Sequence, residues 1–204
     1  MRRVERGERL PDRPWLRTSP QPAGRAAAVV AFPGLLVVAA DVDPDWVHAQ
    51  LADGDLSAPL NPPFLTALCD KTGMTVNNID AVVLADPLDG PPELPLAPIR
   101  DADHPRVRRA HRYRDDVRVW TTTGGVLIIG RGLTGRWEVA VEVDETARGA
   151  GLGRQLAVSA RHLIPPGRPV WAQIAPGNAA SLRAFLAAGY RPVGAEALLT
   201  RAAS

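Results

Sequence analysis

Residues 145–156, ETARGAGLGRQL, place Gly149, Gly151 and Gly153 between an apolar run and a helical pattern. Glycine costs about 1 kcal/mol relative to alanine in a helix interior. Three of them where a helix begins need a reason, and anion binding supplies one. Successive backbone N–H groups can converge on a phosphate, the helix dipole adds partial positive charge, and missing Cβ atoms allow close approach. Two phosphate-binding patterns fail on residue identity. A P-loop ends in Gly-Lys-Ser/Thr, whereas Gly153 is followed by Arg154 and Gln155, and the sole lysine is Lys71. A dinucleotide fingerprint starting at Gly149 and Gly151 needs a third glycine where Arg154 stands, and the next apolar strand, VWAQIAPG, ends without an acid.

The segment RWEVAVEVDE before the glycines alternates strictly. As a strand it puts Glu138, Ala140 and Glu142 on one face and Val139, Val141 and Val143 on the other. If the carboxylate face borders a cleft, Glu138 or Glu142 is a candidate proton acceptor, directly or through water. Otherwise it is an ordinary polar strand face. Asp144 and Glu145 flank the loop.

These residues need elements to hold them. Residues 1–24 are charged and proline-rich and read as an extended tail. Residues 25–100 read as an N-terminal α/β region closed by a proline-rich linker, PLDGPPELPLAP. Within it AAVVAF and LLVVAAD are strands joined by Pro33-Gly34. A helix follows, with Asp43 as cap and Pro44 at its first position. A second helix is capped by Asn61 and stopped by Gly73, and IDAVVLAD is a further strand. Residues 101–204 begin with a basic helix, DHPRVRRAHRYRDD. There follow a hairpin turning at Gly124-Gly125, the alternating strand, the glycine loop and a helix through RQLAVSARHLI. The strand PVWAQIA, a helix capped by Asn178 and closed by Gly189, and the strand YRPVGAEALLT complete the chain.

The 204 residues suffice for one large domain or two small ones. The net charge is +2, and arginine carries nearly all the positive charge, as expected of a GC-rich coding bias rather than of nucleic-acid binding. Even the most apolar stretch, residues 26–40, is cut by Pro33-Gly34, so no membrane span is expected. The N-terminus lacks the apolar core of a signal peptide, and the expectation is a soluble cytoplasmic protein. With one cysteine, Cys69, and four scattered histidines, no metal site is expected.

Arg148, Gly151 and Gly153 after a valine-rich strand resemble the R-x-x-G-x-G pyrophosphate loop of the GNAT superfamily of acetyl-CoA-dependent N-acetyltransferases. The element order around the loop and the segment AAGYRPVG also resemble that family. The resemblance covers about residues 101–200. It implies an α/β (α+β) fold, a central mixed sheet flanked by helices and splayed where CoA inserts, with a smaller N-terminal α/β region. It implies acetyl transfer from acetyl-CoA to a primary amine by direct attack. The backbone amides of Arg148, Gly149, Ala150, Gly151, Leu152, Gly153 and Arg154 would hold the pyrophosphate. Val141 and Val143 would offer main-chain groups to the pantetheine arm. Asn178, Ser181 and Phe185 would line the cofactor arm, and Glu142 or Glu138 would take the amine proton. Asn178 is equally explained as a helix cap, and Arg154 as a solvated side chain.

One position departs from the family pattern. Where many members carry a tyrosine that protonates the leaving thiolate, this chain has Phe185. A CoA-binding module with weak or no catalysis is therefore the alternative. The basic cluster RVRRAHRYR, residues 106–114, reads as a solvated helix face or as a site for an acidic partner, RNA or the CoA phosphates. The acceptor has no motif of its own, and a homodimer is compatible with the sequence.

Overall fold

The computed structural model describes residues 1–10, 15–22, 26–51, 54–99, 103 and 105–201. The chain forms two compact units. It passes from the first to the second between Val82 and Val83 and returns between Pro192 and Val193.

The first unit holds α1 (Arg2–Glu5), β1 (Leu16–Ser19), β2 (Ala27–Phe32), β3 (Leu35–Ala39), α2 (Pro44–Gln50) and α3 (Pro62–Thr72). β4 (Thr75–Ala85) begins in it and β10 (Arg191–Thr200) ends in it. β2 and β3 form the expected hairpin, Phe32 opposite Leu35, with Gly34 at φ +79° in the turn. Asp43 caps α2 by accepting from Asp45 N at 2.8 Å. Gly73 stops α3 in a left-handed conformation. β10 pairs antiparallel with β2, Ala195 through Leu199 against Ala31 through Ala27. Leu16, Val29, Leu36, Val38, Val47, Phe64, Leu68 and Leu199 fill the core between these strands and α2 and α3.

Two parts of the chain differ from the expected tail and linker. Leu16–Ser19 is not a free tail but a strand, β1, paired in parallel with β3, with Leu16 buried. Its backbone groups gain partners and Leu16 gains a core, which an extended tail would forgo. The proline-rich segment is largely irregular, but its end forms β5 (Ala97–Ile99), antiparallel to the following strand.

The second unit holds α4 (Pro105–Tyr113), β6 (Asp115–Thr122), β7 (Gly125–Arg131), β8 (Trp137–Val143), α5 (Leu152–His162), β9 (Val170–Ile174) and α6 (Ala179–Ala187). Its strands run in the order β9-β8-β7-β6-β5. β8 and β9 are parallel and the other pairs antiparallel, so the sheet is mixed. Leu127, Ile129, Val139, Val170 and Ala172 pack with Leu152, Leu156 and Ala160 of α5 and Phe185 of α6. On the opposite face Val107 and Ala110 of α4 pack on Val119 and Ile128. This α/β architecture, a mixed sheet with helices on both faces, is the one expected. Among the described residues no helix is long and apolar enough to cross a membrane, and no group of histidine, cysteine and acidic residues is placed to hold a metal.

Candidate functional site

The alternation of β8 survives in three dimensions. Val139 lies in the core shared with α5, and Val141 and Val143 pack against it. Ala140 packs on the α4 side, so Glu138 and Glu142 share that face. β8 runs against β7 in unbroken register, from Arg131 opposite Trp137 to Gly125 opposite Val143. Beyond that ladder Asp144 N donates to Gly124 O at 2.9 Å. Antiparallel backbone groups alternate in direction. Residues 138, 140, 142 and 144 therefore aim theirs at β7, and residues 139, 141 and 143 aim theirs toward β9. The β8–β9 ladder pairs Trp137 with Val170 and Glu138 with Trp171. β8 continues to Val143 and β9 to Ile174 past the end of that pairing. Val141 and Val143 thus turn main-chain donors and acceptors into the space where two parallel strands part.

The loop after β8 ends in the same region. A single 3-10 turn, Glu145–Ala147, leads to Arg148 in an extended conformation. Gly149 and Gly151 both stand at φ +83°, left-handed backbone that side-chain-bearing residues adopt at a cost. A Cβ at either would meet nothing within 4 Å, so conformation, not crowding by the protein, requires glycine there. Gly151 is also the N-cap of α5 and makes no side-chain cap bond. The first intrahelical bond closes from Gln155 N to Gly151 O at 3.1 Å. The amides of Leu152, Gly153 and Arg154 lie in the first turn, where an α-helix has no internal acceptors for them. Gly153 lies where α5 meets α6 and the end of β8: a Cβ there would make ordinary van der Waals contact, 3.7 Å from both Ala184 Cβ and Val143 Cγ2. Arg148 is exposed and 3.6 Å from Glu145, and Arg154 is exposed.

Asn178 caps α6: its side chain accepts from Ser181 N at 3.0 Å. The two residues are spatially coupled, with Asn178 exposed and Ser181 half-buried. Phe185, expected along the cofactor arm, is instead a core residue at 2% exposure. Its ring meets Tyr190 edge-on, with centroids 4.9 Å apart. A wholly apolar ring gains more by that burial than by facing a polar cleft. Tyr190 is buried as well. Its hydroxyl donates to Ala157 O at 3.1 Å, and burial pushes its ionisation well above the ordinary phenol range, with Arg161 opposing only in part.

The two glutamates part company. Glu138 is 4% exposed. Its Oε1 accepts from Arg136 Nε at 2.7 Å and from Leu133 N at 3.2 Å, and its Oε2 from Arg114 Nε at 3.0 Å. Burial alone raises the carboxyl pKa, but the two guanidinium charges and their hydrogen bonds outweigh it and hold the group below the usual carboxylate range. A carboxylate so engaged is a poor proton acceptor. Glu142 lies farther along the same face, half-buried, opposite Val126.

The structure therefore brings together Val141, Val143, residues 148–154, Ala184 of α6 and the start of α5, while Glu138 is engaged by two arginines and Phe185 is buried in the core. Two features were missed. Gly124 and Gly125 form more than a hairpin turn: a Cβ on Gly124 would lie 2.6 Å from Ala147 Cβ, and one on Gly125 2.9 Å from Leu156 Cδ1. The turn is thus packed under the loop and α5, and the Gly-Gly pair was its available signal. The clamp of Arg114 and Arg136 on Glu138 had no local signal beyond the nearness of residues 136 and 138. Arg114 is 24 positions away.

No protein-family model and no curated protein matches this chain. In structure it is similar to a GCN5-related N-acetyltransferase from Kribbella flavida, at 18% identity and a TM-score of 0.43, over 67% of this chain and 63% of that one. It is also similar to a GNAT-family protein from Novosphingobium aromaticivorans, at 16% identity and a TM-score of 0.44, over 64% of this chain and 69% of that one.

Proposed function

We propose that the second unit binds acetyl-CoA and transfers its acetyl group to a primary amine by direct attack. One observation carries the reading: the β8–β9 ladder ends at Glu138 and Trp171 while Val141 and Val143 aim backbone groups past it, beside a left-handed glycine loop that opens α5. Parted strands suit an extended amide-bearing arm, and a helix start with clear space before Gly149 and Gly151 suits a diphosphate. When bound, acetyl-CoA supplies the thioester.

The chain's own residues supply the rest. The amides at the start of α5 and the loop hold the diphosphate, with Arg148 and Arg154 adding charge at its edge. Val141 and Val143 bind the arm through main-chain hydrogen bonds, which is why apolar side chains serve there. A main-chain amide on this edge, directed at the thioester oxygen, offsets the negative charge that develops during attack. Asn178 and Ser181 hold the start of α6 beside the arm. Glu142, on the opposite sheet face from α5, accepts the amine proton through water. Glu138 stays ionised as the partner of Arg114 and Arg136 and takes no part in proton transfer.

A second reading is favoured by Phe185 and Tyr190. Neither offers a proton to the leaving thiolate, since one has no hydroxyl and the other's is committed to Ala157. A CoA-binding module with slow catalysis has the same cofactor site. A thiol with pKa near 8.5 leaves without much help, so the transferase reading stands first.

Calorimetric titration with acetyl-CoA and with CoA tests both readings. Micromolar binding that disappears in Gly151→Trp is the expected result. Absence of binding to the native protein removes both. Binding without turnover over a broad amine panel selects the second.

A further inference from the structure

Helix α4 presents two unlike faces. Val107 and Ala110 are buried on the sheet against Val119 and Ile128. Arg108, Arg109, His111 and Arg112 are exposed. Arg108 Nη1 donates to the Asp103 carbonyl, and the Arg109 guanidinium lies 6.0 Å from the centre of the Tyr113 ring. Both arginines are thus held along the helix rather than left to wander, which lowers the entropy lost when they bind something. Arg114, next in sequence, is turned inward to Glu138 and anchors this end of the helix to the start of β8.

The place of this face matters as much as its charge. α4 lies on the same side of the sheet as Glu142. Val126, directly across from Glu142 on β7, packs against the cluster formed by Val107 and Ala110. A molecule with its amine near Glu142 therefore lies on the sheet face that α4 covers, and the arginines of α4 stand on the solvent side of that covering helix.

We infer that this face is the acceptor-selecting surface, and that the acceptor is a polypeptide with acidic residues close to its reacting amine. The inference rests on the transferase reading for the amine and on α4 alone for the charge. Guanidinium groups pair with carboxylates and phosphates alike. The extent of the patch favours a short run of carboxylates over a nucleic acid. Asp103 bounds it at one end and Asp115 and Asp116 at the other, all three exposed. Asp116 pairs with Arg131 at 3.3 Å, so the uninterrupted run of exposed guanidinium groups is confined to the helix, a length that suits a few side-chain carboxylates. The Tyr113 ring already lies under Arg109 rather than open to a base.

The experiment uses the full chain and fluorescence anisotropy with two short labelled peptides, each with a free α-amine. One has consecutive acidic residues and the other is neutral. The acidic peptide is expected to bind at least about tenfold more tightly, and the difference to shrink with added salt. The double substitution Arg108→Glu with Arg112→Glu, both on the solvent face, is expected to abolish the preference. Equal binding of the two peptides overturns the inference. So does a preference that survives the double substitution, or tighter salt-sensitive binding of a single-stranded oligonucleotide than of the acidic peptide. Calorimetry with CoA on the same preparation separates the two claims. Acidic-peptide binding without CoA binding leaves this surface standing and removes the proposed transferase. CoA binding without peptide preference does the reverse.

Discussion

Arg114 Nε lies 3.0 Å from Glu138 Oε2, tying the residue that follows α4 to the start of β8. Arg136 closes on the other oxygen at 2.7 Å, itself 3% exposed and stacked 5.2 Å from the centre of the Trp171 ring. Removing one member of a buried charged cluster leaves the others uncompensated, at about 3–5 kcal/mol. Glu138→Gln is therefore expected to lower the stability of the protein by that order in chemical denaturation.

The same group sets an acid limit. Its folded-state pKa lies below the unfolded carboxylate value of about 4.3. Its contribution is complete above that unfolded value and is lost as pH falls through the folded one. Native protein should lose stability more steeply below about pH 4.3 than Glu138→Gln does. Parallel acid limbs in the two proteins would remove Glu138 as the cause.

Gly132 makes room for that carboxylate. A Cβ there would lie 2.1 Å from Glu138 Cδ and 2.2 Å from both its oxygens. A side-chain tip can usually move aside, but this one is held by Arg136, Arg114 and Leu133 N. Gly132→Ala is expected to cost about 1–3 kcal/mol through forced displacement, read as a lowered midpoint of thermal unfolding. It should cost much less in a Glu138→Ala background, where the clashing atoms are gone.

Gly151 stands at φ +83° and ψ 0° at the head of α5. Alanine there is strained by about 1–2 kcal/mol, and relaxing the strain turns the helix-start amides. Gly151→Ala is expected to weaken CoA binding by roughly tenfold or more, the equivalent of that strain taken from the binding energy. Calorimetry with unchanged affinity would detach the loop from the cofactor.

Glu142→Gln keeps the shape of the face and removes the base. The expected outcome is a fall in kcat of about 10²–10⁴-fold, with the affinity for CoA unchanged and partial recovery at high pH, where the free amine prevails. Phe185→Tyr places a hydroxyl inside a packed aromatic pair, so turnover is expected not to rise and stability to fall. A faster enzyme would show that this position reaches the thiolate after all.

Much of the local structure was legible from residue order. Valine alternation over 137–143, the caps Asp43 and Asn178, the stop at Gly73 and the glycine loop all depend on neighbours within a few positions, where backbone sterics and side-chain period decide the outcome. The same locality makes residues 148–154 a candidate anion site.

Only the tertiary structure decided that Glu138 is held by Arg114 and Arg136, while Glu142 lies half-buried farther along the same face. Glu138 and Glu142 have the same face and the same chemistry in sequence, and the difference arises from Arg114, brought 24 residues through space by the packing of α4. It also decided that the β8–β9 ladder stops at Glu138, that Phe185 is core, and that Leu16–Ser19 joins a sheet. Each is a long-range pairing or burial whose free energy depends on what else occupies the space, and period, cap and propensity do not encode that.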